Sequence, residues 1–259
     1  MQKTKFISCI LFSFVLLSFT SCINCERDES IKTIKTSENV THESRHFNES
    51  FNKIKVSSDI QVIIEQGKNT EVTVVTNEDF QKRISTKVEN GTLYISNSTS
   101  KTTFSVFGYK STKIYDAATK KVIIKTPSLT ELEANAASKI ESKGILRGNS
   151  ITLKSSSASH IKLQLEFEKI IAESSSASKI ELEGMALELI ANASSSSKID
   201  ADDLLANLVT AESSSASKIS THPIVSLKAE ANSAGEIKYN SLPKQLQQST
   251  NSGGSIKQD

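Results

Sequence analysis

The chain contains no tryptophan, and aromatic residues make up only 5% of its 259 positions. A core built around large rings is thereby excluded, so aliphatic and small side chains must fill the interior. There are only three cysteines, Cys9, Cys22 and Cys25. The first two fall in or beside an N-terminal hydrophobic segment, which leaves Cys25 alone; neither a disulfide framework nor a cysteine metal site can be built. The charge is nearly balanced, with 31 basic and 29 acidic residues. Nucleic-acid binding driven by counterion release has no support in such a balance. Serine and threonine are abundant, but their regular alternation with apolar residues argues against a disordered chain.

Long hydrophobic runs are also missing, with one exception. Phe6–Phe19 follows Lys3 and Lys5 and is too short for a comfortable membrane span of about 20 residues. It reads as a signal peptide over residues 1–21. The run closes on Phe19-Thr20-Ser21-Cys22, which resembles the lipobox of bacterial lipoproteins, where the cysteine is lipidated and becomes the new N-terminus. Cys22 is thus the expected lipid anchor and the membrane an expected partner. Phe19 stands where a smaller aliphatic residue is commoner, so ordinary signal cleavage is the alternative. Ile23 follows the cysteine where an aspartate would suggest inner-membrane retention. Glu26-Arg27-Asp28-Glu29 resembles the acidic signal that sends some Bacteroidetes-type lipoproteins to the cell surface. The address implied is the cell envelope, as an outer-membrane lipoprotein. Taking Lys3 and Lys5 from the 31 basic residues leaves as many as the 29 acidic ones, a near-neutral mature protein. Residues 22–46 lack a sustained period and read as a polar tether. Within them, His42 and His46 could share a metal only if the segment were helical; solvated linker histidines are the plainer reading, and no metal or other cofactor is expected.

What the chain has in quantity is a repeat. Ser174–Gly184 (SSSASKIELEG) has close copies at Ser155–Leu165 and Ser213–Thr221, and looser ones from Ala134, Ala193, Ala231 and Thr250. Aligned on the isoleucine after each serine run, the copies fall at Ile140, Ile161, Ile180, Ile199, Ile219, Ile237 and Ile256. A spacing of roughly 18–21 residues is in the range of solenoids and arrays. Within each copy apolar residues alternate with period two, the signature of strands, and two helices with their turns do not fit in about 19 residues. The prediction is an all-β, parallel β-solenoid over residues 129–257, each coil being strand, corner, strand and a looser return. The corner is expected at pairs of small residues such as Ala158-Ser159 and Ala177-Ser178.

Stacking the coils makes columns. One runs Ile151, Ile170, Leu189, Val209, Leu227, Leu246; the aligned isoleucines form a second. Two columns of small residues are expected to face inward, one including Ser155, Ser174 and Ser213, the other Ser157, Ser176, Ser195, Ser215, Ser233 and Ser252. Beside the isoleucine the outward residues are charged: Lys139, His160, Lys179, Lys198 and Lys218 before it, and Glu141, Lys162, Glu181 and Asp200 after it. The lysines are candidates for binding an anionic glycan or other surface polymer. A solvated face, with lysines paired to acids of the next coil, gives the same pattern.

Residues 47–128 are β-rich but irregular. Ile54–Val56 and Ile60–Ile64 alternate, and Asn90-Gly91 is the strongest hairpin signal in the chain. This part is expected to cap the first coil, because an uncovered solenoid end invites edge pairing. The last repeat, around Ile256, is expected to be open and available for self-association. Taken together, Ile60–Gly67 (IQVIIEQG), Gly91–Ile95 (GTLYI), Val122–Leu129 (VIIKTPSL) and the repeated Ser-Ala-Ser-Lys-Ile resemble the putative auto-transporter adhesin, head GIN domain family, over about residues 47–257. Family members commonly carry Ser-Gly-Ala-Ser where this chain carries Ser-Ser-Ala-Ser. The resemblance implies a right-handed β-helix of the cell envelope. It carries over no catalytic motif.

Parallel β-helices also host enzymes acting on polysaccharides, and this is the alternative function. Such chemistry needs two carboxylates at a set separation, or a cation beside a base. Asp200, Asp202 and Asp203 are the densest acidic cluster, His160 and His222 are isolated, and no nucleophile elbow, metalloprotease helix or phosphate loop is present. A further candidate binding stretch is Thr103–Tyr109, with Phe104, Phe107 and Tyr109; packing of the phenylalanines on the solenoid wall is its structural alternative. The function that follows is a non-enzymatic envelope lipoprotein, presenting a rigid face to a glycan or surface protein or serving as a scaffold.

Overall fold

The computed structural model describes residues 38–98, 104–105, 108–109 and 119–259. The segment read as a signal peptide and Cys22 lie outside the described residues. Among the described residues no helix is long and apolar enough to cross a membrane. The chain divides into two compact units, residues 34–101 with 115–259, and residues 1–33 with 102–114. In the latter, the described backbone is a short antiparallel pair, Phe104–Ser105 against Gly108–Tyr109.

Among its described residues the larger unit is all β apart from one 3-10 turn at Glu78–Phe80. Its first strands are β1 (Val40–Arg45), β2 (Lys53–Val56), β3 (Gln61–Gln66), β4 (Glu71–Asn77), β5 (Ile84–Glu89) and β6 (Thr92–Asn97). With the short pair numbered β7 and β8, it continues through β9 (Lys120–Thr126), β10 (Glu131–Ala134), β11 (Lys139–Ser155), β12 (His160–Ser174), β13 (Lys179–Ala193), β14 (Lys198–Ser213) and β15 (Lys218–Ala231). It closes with β16 (Glu236–Tyr239), β17 (Gln245–Thr250) and β18 (Ser255–Gln258). Strands β11 to β15 stack parallel and in order, each lying on the coil before it, so the repeats form the predicted β-solenoid. The aligned isoleucines pair one above another from Ile140 to Ile256. All but Ile256 are essentially fully buried, each contributing about 1.5–3 kcal/mol by leaving water.

The N-terminal part continues the solenoid as well as covering it. Val62 and Val122 extend the isoleucine column, and Val56 and Ile95 extend the column of Ala134 and Ser155. Strands β2 and β3 thus form one coil. Strands β6 and β9, paired on β2 and β3, form another. The cover beyond them runs antiparallel: β4 lies on β9, β5 on β6, and β1 on β4. The Asn90-Gly91 turn joins β5 to β6 with both residues at positive φ, as its sequence predicts. Strand β1 falls within the stretch read as a tether. It pairs along the edge of β4 through its backbone, and because it is extended, His42 and His46 do not share a helical face.

The corners differ from expectation by one residue. The left-handed pairs are Ser157-Ala158, Ser176-Ala177, Ser195-Ser196 and Ser215-Ala216, with φ between 53° and 60°. Two consecutive left-handed residues turn the chain one position earlier than Ala158-Ser159 and Ala177-Ser178. The column of Ser157, Ser176, Ser195, Ser215, Ser233 and Ser252 therefore points to solvent. Ser155, Ser174 and Ser213 are buried as expected, and the second buried column is the next residues but one, Ser138, Ser159, Ser178, Ser197 and Ser217. In the last two coils glycine takes that inward place, because a Cβ on Gly235 would lie 2.3 Å from the Ser213 carbonyl oxygen and one on Gly254 2.0 Å from that of Ala231.

The inner serines knit the coils together. Ser178 Oγ donates to the Ser155 carbonyl (2.6 Å), accepts from the Ser175 amide (3.2 Å) and bonds the Ser174 hydroxyl (2.9 Å). Ser197 donates to the Ser174 carbonyl at 2.7 Å and Ser217 to that of Ala193 at 2.8 Å. The Ser178 hydroxyl so placed has its full complement of partners, which removes the cost of burying it, whereas Ser138 Oγ in the same column is buried with none.

Candidate binding faces

The corner separates two outward-facing walls. On the wall after it, the register places Lys139, His160, Lys179, Lys198 and Lys218 in one column, continued by Glu236. The sequence-predicted lysines are brought together, and the charge of Lys179, Lys198 and Lys218 is matched. Lys179 pairs with Glu181, Lys198 with Asp200 at 2.6 Å and Lys218 with Glu236 at 3.1 Å. Lys162 reaches Glu181 at 3.7 Å and Glu183 at 3.6 Å. Burial raises the Glu181 carboxyl, but the hydrogen bond from Lys179 and the charges of Lys179, His160 and Lys162 outweigh it and hold the group below the usual carboxylate range. The face is a charge-compensated lattice in place of a basic stripe. Phe107 lies outside the described residues, and of Phe104 and Tyr109 only the backbone is described.

The acidic cluster is dispersed. Asp200 is held by Lys198, Asp203 is exposed, and Asp202 is partly buried. Burial, with the nearby charges of Asp200 and Asp259, pushes the Asp202 carboxyl up. Its backbone carbonyl accepts from His222 Nδ1 (3.1 Å) and Asn240 Nδ2 (3.0 Å), so this histidine supports the return of the coil. Among the described residues no three of His, Cys, Asp and Glu gather to hold a metal ion.

The wall before the corner carries a groove of about 440 Å³ that the sequence reading did not single out. Its floor is the row Asn135, Ser156, Ser175, Ser194 and Ser214, and one bank is the row Glu133, Lys154, Glu173, Asn192 and Glu212. The rows stand in register across successive coils. Short side chains on the floor and long ones on the bank make the depression. The signal was present: the position just before each corner is always serine or asparagine, too small to fill the space its neighbours enclose. Glu133 is tied by Lys55 (2.7 Å) and Asn135 (2.7 Å); burial raises its carboxyl, but these hydrogen bonds prevail and lower it. Asn192 Oδ1 is buried with no hydrogen-bond partner. The groove thus offers hydroxyl, amide and carboxylate groups at a coil spacing of about 4.8 Å and no aromatic ring.

No curated protein matches the chain. Among solved structures, a putative adhesin from Bacteroides fragilis is similar with a TM-score of 0.76 at 21% identity, over 87% of this chain and 100% of that one. A putative lipid binding protein from Parabacteroides distasonis gives 0.67 at 19%, over 88% and 100%. A putative adhesin from Parabacteroides merdae gives 0.64 at 18%, over 88% and 99%. At these identities the likeness is one of fold. The family pattern described as putative auto-transporter adhesin, head GIN domain, matches residues 50–243, three-quarters of the sequence, and the chain belongs to that family.

Proposed function

We propose that this protein is a non-enzymatic, adhesin-like binding scaffold of the cell envelope, anchored through Cys22, whose groove takes an extended polysaccharide along the coil axis. The observation that carries this reading is the in-register groove from Asn135 to Ser214. A linear polymer meets a short hydroxyl or amide side chain on the floor at every coil, so weak contacts add along its length. Hydroxyl, amide and carboxylate groups suit a polyhydroxylated chain, bound edge-on because no ring is available for stacking. The family and its structural neighbours bear adhesin names, which supports the coarse assignment. The charge-compensated lysine face contributes little affinity, since exposed pairs of this kind are worth about 0–1 kcal/mol.

Binding to an array of surface polysaccharides, with product detection on the same samples, tests the proposal. Retention without cleavage is expected. Ser175→Arg with Ser194→Arg should abolish retention, and Lys179→Ala with Lys198→Ala should leave it within about threefold. Cleavage lost on Asp202→Asn would establish the enzymatic alternative. Cys22→Ser should release the protein from the membrane fraction if the anchor is as read.

A further inference from the structure

The third side of the solenoid, where each coil returns, is unlike the two walls. Met185 (53% exposed), Leu187 (56%), Leu205 (42%), Leu208 (49%) and Ile224 (41%) stand out to solvent on the adjacent coils of β13, β14 and β15. Contiguous exposed apolar strips of this kind mark interaction surfaces.

The charges around the strip identify what it meets. The register aligns one outward column across five coils. Glu168 lies beside Leu187, because Phe167 pairs with Ala186 and Lys169 with Glu188. Leu187 lies beside Asn207. Asn207 opposes Ile224 and Val225 together, at the irregularity between Ala206–Pro223 and Leu208–Ser226. Val225 in turn lies beside Lys244, since Ser226 pairs with Gln245. Read along the solenoid, the column is acid, apolar, amide, apolar, base. Glu168 and Lys244 are both exposed, and neither has an ion-pair partner among the described residues.

We propose that this strip pairs two copies of the chain about a two-fold axis running along β14. Such an axis reverses the order of the coils while keeping each column opposite itself. Asn207 then meets Asn207 of the second copy, Leu187 meets the Ile224–Val225 pair, and Glu168 meets Lys244, twice over. Leu205 and Leu208 meet their own counterparts on either side of the central column. An isologous contact requires just this self-complementarity. A membrane surface would not use it, because Glu168 and Asp203 border the strip without an ion-pair partner among the described residues and disfavour anionic lipid, while Glu188 and Glu183 are paired with Lys169 and Lys162. The inference is independent of the polysaccharide groove, which lies on another side of the coil.

Sedimentation velocity of the purified protein, over a range of concentration, tests this pairing. A reversible dimer is expected. Leu205→Glu with Leu208→Glu should weaken it by about tenfold or more, with an unchanged far-UV circular dichroism spectrum and thermal transition as the folding control. Lys244→Glu should weaken the dimer, and adding Glu168→Lys should restore it. A protein that stays monomeric at high concentration overturns the proposal. So does a dimer insensitive to Leu205→Glu and Leu208→Glu, including one lost instead on Gln247→Pro at the β17 edge. Failure of the charge swap to restore association overturns the two-fold geometry. Flotation of a monomer with phosphatidylethanolamine–phosphatidylglycerol vesicles, abolished by the same leucine variants, would reassign the strip to lipid.

Discussion

At the scale of single residues, the strained positions and the satisfied ones alternate within each serine run. Ser176 sits at φ 54° and Ala177 at 60°, a region that costs a non-glycine residue roughly 1–2 kcal/mol. Glycine avoids that strain but loses about 0.5–1 kcal/mol of it through the greater freedom of the unfolded chain. Ser176→Gly is therefore expected to stabilise the protein by a few tenths to about 1 kcal/mol, and Ser176→Val to destabilise it, both measurable by chemical denaturation. This is also the place where family members carry glycine. Two residues on, Ser178 is fully engaged, and Ser178→Ala strips partners from the Ser175 amide, the Ser174 hydroxyl and the Ser155 carbonyl. A loss of about 1–3 kcal/mol is expected in the same assay.

At the scale of the element, each coil depends on its return as much as on its corner. Strand β13 passes Gly184 at φ 118°, where a Cβ would stand 2.1 Å from the Leu165 carbonyl oxygen of the coil below. No side chain could swing aside, because the obstacle is backbone. Gly184→Ala is expected to cost about 3 kcal/mol or more and to lower the thermal transition clearly. Gly144 also takes a positive φ, 82°, but has open space around it, so the same substitution there strains the backbone without a clash. The neighbouring Gly148 is needed for another reason: its missing side chain admits the Phe167 ring, 2.7 Å from where a Cβ would be. Phe167 is one of the few rings the solenoid buries.

At the scale of the whole molecule, acid titration should divide the carboxylates into two classes. Glu133 and Glu181 are held below their unfolded values, so they contribute stability that is present above the unfolded carboxylate range and lost as pH falls through their folded values. Asp202 is raised, so its charged form costs stability at neutral pH, and that cost disappears as pH falls below its unfolded value. Asp202→Asn is thus expected to raise the melting temperature at neutral pH and to have little effect in strong acid. Glu181→Gln should lower it at neutral pH, again with the difference vanishing in acid. Melting curves across pH check both signs. Because the coils form one continuous ladder, each effect should shift a shared transition or a propagating one more than a local region.

The sequence by itself determined the stack. A period of about 19 residues, alternation within it and isoleucines at a constant phase leave a parallel β-solenoid as the arrangement that buries every repeat against its neighbours, and the family resemblance rests on these repeats together with Ile60–Gly67, Gly91–Ile95 and Val122–Leu129. The Asn90-Gly91 hairpin was legible for a local reason too, since its turn chemistry needs no distant partner. Long-range pairing decided the rest. Serine and alanine are poor left-handed residues by local preference, so nothing in Ser-Ser-Ala-Ser placed the bend at Ser176-Ala177; hydrogen bonds to the adjacent coils did, and with them which serines are buried. The coil split between β6 and β9 joins segments more than twenty residues apart, which periodicity cannot detect. The lysine column was readable as a row; its compensation is local at Lys179–Glu181 and Lys198–Asp200, two residues apart on one strand, and Lys218–Glu236 alone of the three depends on the register between coils. The groove and the apolar return arise only where separate coils are stacked, because a surface made of single residues from successive layers has no contiguous trace in the chain.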